Sequence, residues 1–259
     1  MKKNKVKQAL AEGETVVGTM ITETRTPEVA RLLAASGFDF IFVDMEHSAY
    51  SLENLTEIVR TGKAVGLTCL ARIADPQYHL VARTLDCGAQ GLLIPRVETR
   101  ETVEDVVRFA KYPPWGERGF GIRSVVGDYE KVSIRDRIEE QNEDTMVIPQ
   151  IERVKAIENI EDLVSVKGVD VALIGPQDLS ISLGIPGEHK HQKIIDAIGK
   201  VVEACKKYGV ASGIHTPNME DLLYWRDRGM TMLTYSTEAA LTQSAALQAV
   251  AEIRKATRK

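Results

Sequence analysis

Cysteine is scarce in this chain and shows no pattern. The sequence holds three cysteines, Cys69, Cys87 and Cys205, and none of them has the Cys-x-x-Cys spacing of a redox or zinc motif. Their number is odd and their spacing irregular, so a disulfide framework is not indicated. We expect reduced, buried thiols in a cytoplasmic protein.

Long apolar runs and blocks of like charge are also lacking. No stretch approaches the roughly eighteen uninterrupted apolar residues of a transmembrane helix. Segment 1–14 is charged and lacks the apolar stretch that a signal peptide needs. The formal net charge is −4 with no basic block, so binding to nucleic acid or to a membrane surface has no electrostatic support. The expected partners are small molecules.

Several well-known motifs are missing. The sequence contains no Gly-x-x-x-x-Gly-Lys-Ser/Thr phosphate loop, no His-Glu-x-x-His zinc helix and no Gly-x-Ser-x-Gly nucleophile elbow. No Gly-x-Gly-x-x-Gly fingerprint follows the first predicted strand, which argues against an open dinucleotide-binding sheet.

What the chain does contain is a series of short apolar runs, each followed by a helical pattern. The runs are rich in β-branched residues and mostly apolar on both faces, as is typical of parallel strands covered by helices. The predicted strands span residues 15–22, 38–44, 68–73, 91–97, 145–152, 169–175, 211–216 and 230–236.

Helix start and stop signals stand between these runs. Helix starts are predicted at Pro27, Ser51, Pro76, Thr99 and Pro176. Glycines stand where the helices should end and the next strand begin, at Gly37, Gly66, Gly88, Gly209 and Gly229.

Eight strand–helix units in one chain predict the fold. The 259 residues suit a single α/β domain, a (β/α)8 TIM barrel over residues 1–259, and 44% apolar residues can fill its core. An open doubly wound sheet is the alternative. Segment 111–129 interrupts the rhythm with a long loop rich in proline and glycine. Such loops on compact barrels are often functional, and the aromatic residues and arginines in this one favour that interpretation.

Barrel enzymes keep their chemistry at the carboxyl ends of the strands, so polar residues there are the candidates. The second predicted strand ends in Asp44, Glu46 and His47. Two carboxylates and an imidazole so close together are costly unless they bind something, although a solvated turn would also explain them. We expect His47 in the active site, with Asp44 and Glu46 supporting it.

Arg72 ends the third strand and either meets solvent or lies in the barrel mouth, where it would stabilise an anion. Asp86 stands among small and apolar residues before the fourth strand. It is either a turn residue or the group that fixes the tautomer of a histidine.

Glu152 and Asp178 follow the fifth and sixth strands, and such a pair suits a hard divalent cation. Glu152 would alternatively serve the first turn of the next helix. Gly175 and Pro176 open a helix whose free backbone N–H groups would bind a substrate carboxylate. No predicted strand ends in lysine, so a metal-assisted enolate is favoured over a Schiff base.

These residues together resemble a known family. The matching motifs are Asp44-x-Glu46-His47, Arg72, Asp86-x-Gly88-Ala89-Gln90, Pro113-Pro114-x-Gly116-x-Arg118-Gly119, Gln150-x-Glu152 and Gly175-Pro176-x-Asp178-Leu179-Ser180. In this order they are similar to the class II pyruvate aldolases of the HpcH/HpaI type, from about Thr15 to about Thr237.

The resemblance implies a mechanism. A divalent ion (Mg, Mn or Co) would lie between Glu152 and Asp178, and pyruvate or a related 2-oxo acid would chelate it. Arg72 and the ion would stabilise the enolate that attacks, or is released with, an aldehyde. His47, oriented by Asp86, would move the proton.

The resemblance also implies substrate-binding residues and an assembly. Gln150 and the backbone from Gly175 through Pro176 and Gln177 to Asp178 would position the substrate carboxylate. Members are often hexamers of swapped pairs, and the Ala-rich final segment 239–250 is compatible with such a helix exchange. An ordinary helix that closes the barrel explains that segment equally well.

The match has two departures, the loop 120–129 and the segment Tyr235-Ser236-Thr237-Glu238 where a Ser/Asp-type turn is expected. Both bear on the identity of the aldehyde partner.

Two alternative functions stay open. A citrate-lyase-like enzyme acting on acyl-coenzyme A would need an exposed basic patch, for which Arg118 and Arg123 are the candidates. A barrel that only binds or assembles is the other.

Overall fold

The strands form a closed parallel barrel in a computed structural model that describes residues 3–121, 127 and 130–257. The eight strands follow one another around the barrel in sequence order, and β8 pairs with β1. Each lies within or overlaps a predicted run, so the predicted (β/α)8 architecture is confirmed. The strands are β1 Val16–Ile21, β2 Phe40–Asp44, β3 Thr68–Arg72, β4 Gly91–Ile94, β5 Met146–Ile151, β6 Val171–Ile174, β7 Ala211–Thr216 and β8 Met232–Thr237.

Helices cover the outside of the barrel. They are α1 Lys5–Ala11, α2 Glu28–Ala35, α3 Leu52–Val65, α4 Tyr78–Asp86, α5 Arg100–Ala110, α6 Ile134–Asp144, α7 Val154–Glu158, α8 Ile160–Val164, α9 Pro176–Ser182, α10 Gln192–Tyr208, α11 Met219–Arg226 and α12 Glu238–Thr257. The predicted signals lie where expected. Ser51 forms a capping box with Asn54, and Thr99 caps α5. Gly66 and Gly209 end α3 and α10 in the left-handed region that glycine adopts without strain.

The inside of the barrel is a packed apolar core. Side chains alternate along a strand, and those pointing inward form one buried cluster that includes Phe42, Leu70, Ile148 and Met232. Residues of the opposite faces pack with the helices in two further clusters. The interior below the carboxyl ends is therefore solid, and only the top layer of inward positions is left for chemistry.

Helix α1 closes the amino-terminal end of the barrel. Val6 packs into the interior cluster from below. The Asn4 side chain donates to the carbonyls of Gln90 and Asp144, just ahead of β4 and β5. This helix was not predicted, because so short a segment shows little hydrophobic periodicity.

The first part of the loop after α5 is anchored. The Lys111 ammonium is buried and donates to the carbonyls of Asn142 and Thr145, and burial lowers its pKa to about 7. The backbone N–H of Arg118 donates to the carbonyl of Lys111. The rest of the predicted functional loop, including Arg123, lies largely outside the described residues.

Helix α12 is exposed along most of its length, and Leu247, Val250 and Ile253 present an apolar stripe to solvent. The predicted exchange of this helix between subunits stays a prediction. Of the helices described, none combines the length and apolar character needed to cross a bilayer.

Candidate active site at the carboxyl ends of the strands

A layer of polar side chains lies above the apolar interior, at the carboxyl ends of the strands. Each stands two or four residues beyond an inward-facing apolar residue of the same strand, and so points into the mouth of the barrel. The members are Asp44 on β2, Arg72 on β3, Gln150 on β5, His215 on β7 and Thr234 on β8.

Asp44 and Arg72 form a buried two-pronged ion pair. Arg72 Nε lies 2.9 Å from Asp44 Oδ1, and Arg72 Nη2 lies 2.7 Å from Oδ2. Burial raises the pKa of Asp44, but the hydrogen bonds and charge of Arg72 outweigh it and hold that pKa below its ordinary value. Asp44 also accepts the backbone N–H groups of Glu46 and His47. The carboxylate therefore fixes the guanidinium and shapes the turn that carries His47.

Glu46 is the centre of a second set of charges. Its carboxylate lies 3.4 Å from Arg72 Nε, 3.6 Å from Arg96 Nε and 3.7 Å from His47 Nε2. Burial raises the pKa of Glu46 despite these neighbours. The His47 side chain lines the cleft and is 68% exposed, so its imidazole is accessible to a ligand.

Glu152 is buried and held on both sides. Its Oε1 accepts the backbone N–H of Arg96 at 2.7 Å, and its Oε2 accepts the Gln150 amide. Burial raises the pKa of Glu152, and the charges of Asp178 and Glu46 add to the effect. A Cβ at Gly175 would stand 2.8 Å from Gln150 Nε2 and 3.0 Å from Glu152 Oε2, so a side chain at this position would displace the ends of those two side chains.

The donor set fits one hard divalent cation. Within the described ranges no group of three or more His, Cys, Asp or Glu side chains is placed to hold a metal ion, so at most two such side chains would bind one. Mg²⁺ is usually bound through one or two carboxylates with water and substrate oxygens completing the shell. Glu152 and Asp178 line one cleft and repel each other's charge, which a cation would relieve. These two residues would hold the ion.

Arg96 belongs to this site and was missed from the sequence. Its φ is +56°, in the left-handed region, and this backbone turns its N–H toward Glu152. The guanidinium donates to the carbonyl of Ala74 and lies beside Glu46. The predicted fourth strand ran to residue 97, but β4 ends at Ile94. Pro95, which cannot donate to the sheet, was the available signal.

Asp86 does not reach His47 within one chain. Asp86 ends α4 just ahead of β4, at the amino-terminal side of the barrel, whereas His47 follows the carboxyl end of β2. Its carboxylate accepts Arg118 Nη2 at 2.6 Å. The expected contact between Asp86 and His47 is therefore not made within the single chain, and the orientation of His47 by Asp86 stays a prediction. Arg118 is buried in this pair, so it is no part of an exposed basic patch for coenzyme A.

The predicted backbone site for a carboxylate is smaller than expected. The N–H of Gly175 donates to the carbonyl of Ile151 at 3.2 Å, and Pro176 has no N–H. Gln177 and Asp178 stand in the first turn of α9, where backbone N–H groups have no intrahelical partner. Only these two remain as candidate donors from the predicted segment.

Glu238, one of the departures from the family pattern, organises the rim. Its buried carboxylate accepts the N–H groups of Thr22, Glu23 and Thr24 at 2.7 to 2.9 Å. Burial raises its pKa, but these backbone bonds prevail and hold that pKa below its ordinary value. The residue fixes the loop after β1 beside the mouth.

The resulting cleft has a volume of about 620 Å³. Its polar lining includes Glu46, His47, Arg96, Glu152 and Asp178. An arginine fixed by a buried carboxylate, two further carboxylates suited to a cation and an exposed imidazole are the groups needed to form and protonate an enolate.

Comparison with known proteins agrees with this geometry. The family model of the HpcH/HpaI aldolase/citrate lyase family matches residues 19–245, from β1 into α12. The hydroxypyruvate/pyruvate aldolase of Paraburkholderia phytofirmans is 30% identical over 256 residues, which cover 97% of this chain and 98% of that protein. The 2-keto-3-deoxy-L-rhamnonate aldolase of Escherichia coli strain K12 is 32% identical over 210 residues, 81% of this chain and 78% of the relative.

A solved structure extends the similarity to the whole fold. The crystal structure of an HpcH/HpaI aldolase from Desulfitobacterium hafniense has a TM-score of 0.92 at 38% identity, and the match covers 96% of both chains. The likeness thus spans the barrel and both flanks of the cleft.

Proposed function

Since the chain belongs to the HpcH/HpaI aldolase/citrate lyase family, we propose that it is a metal-dependent aldolase that cleaves or forms 4-hydroxy-2-oxo acids. The products of cleavage are pyruvate, or a related 2-oxo acid, and an aldehyde. One observation carries the proposal. The Arg72–Asp44 pair and the Glu152–Asp178 carboxylates share one mouth, close enough that Arg72 and Glu152 act on each other's pKa.

The residues of the chain divide the work. A divalent cation (Mg, Mn or Co) held by Glu152 and Asp178 would supply Lewis-acid polarisation of the donor's keto group. Arg72, fixed by Asp44, directs its remaining N–H groups at the oxygen that becomes negative in the enolate. Gln150, with the N–H groups of Gln177 and Asp178, positions the donor carboxylate.

His47 is the proposed proton carrier. Its imidazole lines the cleft and is mostly exposed, and Glu46 lies 3.7 Å from Nε2. In cleavage it takes the proton of the 4-hydroxyl group as the bond between carbons 3 and 4 breaks and the aldehyde leaves, and that proton returns to carbon 3 when the enolate is quenched. Glu46 orients the ring in the single chain, in the place expected for Asp86.

Removal of divalent metal is expected to abolish cleavage. The enzyme is dialysed against EDTA and assayed for pyruvate release from a 4-hydroxy-2-oxo acid, with and without added Mg²⁺, Mn²⁺ or Co²⁺. Activity should fall to background and return with metal, and EDTA already saturated with Mg²⁺ serves as the control. Full activity in the metal-free protein would overturn the proposal.

Replacement of His47 by alanine is expected to lower kcat by about 10²-fold or more, the usual range for a general acid–base group. The melting temperature should stay unchanged because the side chain is exposed. His79→Ala, a change at an exposed histidine on α4, is the matched control. Turnover of His47→Ala at the level of the control would remove His47 from the mechanism.

The assembly and location follow as further parts of the proposal. The apolar stripe of α12 supports a homo-oligomer, a hexamer or trimer of dimers, in which this helix is covered by a neighbouring subunit. The three cysteines are unpaired, which supports a reducing, cytoplasmic location.

A further inference from the structure

Arg96 connects the loops that follow four neighbouring strands. It stands just beyond β4, and its backbone N–H donates to Glu152, which follows β5, at 2.7 Å. Its guanidinium donates to the carbonyl of Ala74, which follows β3. Its Nε lies 3.6 Å from Oε1 of Glu46, which follows β2. One residue therefore ties the proposed metal-binding carboxylate to the loop that carries the proposed proton carrier.

The backbone conformation of Arg96 is one that residues other than glycine rarely adopt. Its φ of +56° lies in the left-handed region, which is unfavourable for every residue with a Cβ atom. Such strained residues persist where the surrounding structure holds them, and they concentrate at functional sites. The turn directs the N–H at Glu152 and leaves the side chain on the lining of the cleft. Since a glycine would fit the turn with less strain, the arginine side chain itself calls for an explanation.

Glu46 divides its two carboxylate oxygens between different partners. Oε1 faces Arg96, whereas Oε2 lies 3.4 Å from Arg72 Nε and 3.7 Å from His47 Nε2. The Glu46 side chain is only 9% exposed, and a carboxylate so far removed from water needs charged partners. Because Arg96 holds Oε1, the other oxygen is left to face the His47 imidazole.

Two of the three guanidinium nitrogens of Arg96 already face protein oxygens. Nε faces Glu46, and Nη2 donates to the carbonyl of Ala74 and lies 3.8 Å from Asp75 Oδ2. An arginine that binds a substrate anion instead directs a parallel pair of N–H groups at that anion. The contacts of Arg96 are typical of a residue that acts through its neighbours.

We propose that Arg96 is a positioning residue of the aldol reaction: its guanidinium holds Glu46, and Glu46 in turn holds the His47 imidazole where it takes and returns the proton. The backbone N–H of the same residue serves Glu152 independently of the side chain. This inference rests on the proposed aldolase function and adds to it a residue that does not itself touch the substrate.

Glycine at position 96 separates the two tasks. Arg96→Gly removes the guanidinium, but it keeps the N–H that Glu152 accepts and suits the left-handed turn. Arg96→Ala also lacks the guanidinium but keeps the strain, so it should unfold about 2 to 4 °C below the glycine variant. Arg153→Gly is the matched control. Arg153 lines the same cleft, is 48% exposed against 46% for Arg96, and pairs with Glu98 at 3.3 Å.

The variants are assayed for cleavage of a 4-hydroxy-2-oxo acid under Mn²⁺. In Arg96→Gly, kcat should fall by about 10 to 10²-fold, the usual cost of a misplaced reacting group. KM and the calorimetric affinity for Mn²⁺ should both stay within about threefold of the wild type, because the side chain binds no substrate and the N–H for Glu152 is kept. Arg96→Lys retains the charge and should recover part of kcat. Arg153→Gly should match the wild type throughout.

Double-mutant cycles test the route through Glu46 and His47. Residues that act as one unit have effects that do not add, whereas general damage to the fold adds to any other loss. In the Glu46→Gln and His47→Ala backgrounds, Arg96→Gly should therefore lower kcat by less than about threefold.

An Arg96→Gly variant with wild-type kcat would overturn the inference and leave the aldolase standing. So would a loss of kcat as large in the Glu46→Gln or His47→Ala background as in the wild type, since Arg96 would then act by another route. A KM raised as much as kcat is lowered would make Arg96 a substrate-binding residue, and a weaker Mn²⁺ affinity would assign it a structural role at the metal. Wild-type protein that cleaves no 4-hydroxy-2-oxo acid under Mg²⁺, Mn²⁺ or Co²⁺ would instead refute the proposed function.

Discussion

Replacement of Arg72 by lysine is expected to lower kcat/KM for aldol cleavage by about 10² to 10³-fold, the cost of losing one well-placed donor to a developing oxyanion. The guanidinium makes two parallel bonds to Asp44 and keeps N–H groups in the same plane for the substrate. A lysine ammonium preserves the charge, but it has no planar fork and cannot face both partners.

The measurement separates position from charge. Arg100→Lys, at an exposed pair with Glu104 on α5, tests whether such a replacement is harmful in general. It should leave activity and melting temperature unchanged. If Arg72→Lys kept activity within about threefold of the wild type, the oxyanion would be stabilised mainly by other groups, because a true oxyanion donor is worth far more.

The architecture could be read from the sequence because its signals are local. The apolar runs mark the strands, and Gly66 and Gly209 mark helix ends by a backbone conformation that favours glycine. The order of strands in a (β/α)8 barrel then places every strand end on one face. Asp44, Arg72 and Glu152 were predicted as site residues in this way, from their positions just at or after a strand.

What was missed depends on details that the sequence does not display. The left-handed backbone of Arg96 follows from a turn whose only sign is Pro95, inside an otherwise apolar run. His215 stands within β7 rather than beyond it. Its place in the polar layer follows from the alternation of side chains along the strand, and its charged neighbour Arg72 lies on another strand. Pairing between strands far apart in sequence fixes both positions.

The separation of Asp86 from His47 within one chain has a topological reason. A residue at the end of a barrel helix lies at the amino-terminal face, opposite the mouth, and the predicted strand order already implied this. Within one chain the carboxylate serves Arg118, and the nearest acidic group to the His47 imidazole is Glu46.

The site gathers more negative charge than the chain itself neutralises. Arg72 pairs with Asp44 and Glu46, and Arg96 also pairs with Glu46. Glu152 has only the more distant charge of Arg72, and Asp178 adds a further negative charge to the same cleft. Burial raises the pKa values of both Glu46 and Glu152 and so disfavours their ionised forms. A bound divalent cation would reverse this preference, which links the occupancy of the site to its charge.

Replacement of Glu152 by glutamine is therefore expected to lower activity without lowering the stability of the fold. Loss of the carboxylate should lower kcat by about 10³-fold, comparable to removing a main electrostatic element of an active site. The fold should tolerate the change, because glutamine has the same shape and its carbonyl still accepts the N–H of Arg96. Gln150 can turn its amide so that its unpaired Oε1 accepts from the new side chain.

The stability of Glu152→Gln should be equal to or greater than that of the wild type at pH 7 without metal. A carboxyl group whose pKa is raised by folding stabilises the protein only when protonated, at low pH, and that stability is lost as the pH rises through its folded pKa. A neutral glutamine removes the loss, so the gain should be present at pH 7 and vanish below the ordinary glutamate pKa of about 4.3.

Three measurements on this variant test whether Glu152 binds the metal ion: turnover, thermal unfolding with and without Mn²⁺, and calorimetric titration with Mn²⁺. The wild type should be stabilised by the ion and the variant should not, since a ligand that binds only the folded state raises its stability. Glu158→Gln, on the rim of the same cleft, should behave as the wild type in all three. If Glu152→Gln bound Mn²⁺ as tightly as the wild type, Glu152 would not be a ligand, and the cation would have to be placed around Asp178 and Glu46 instead.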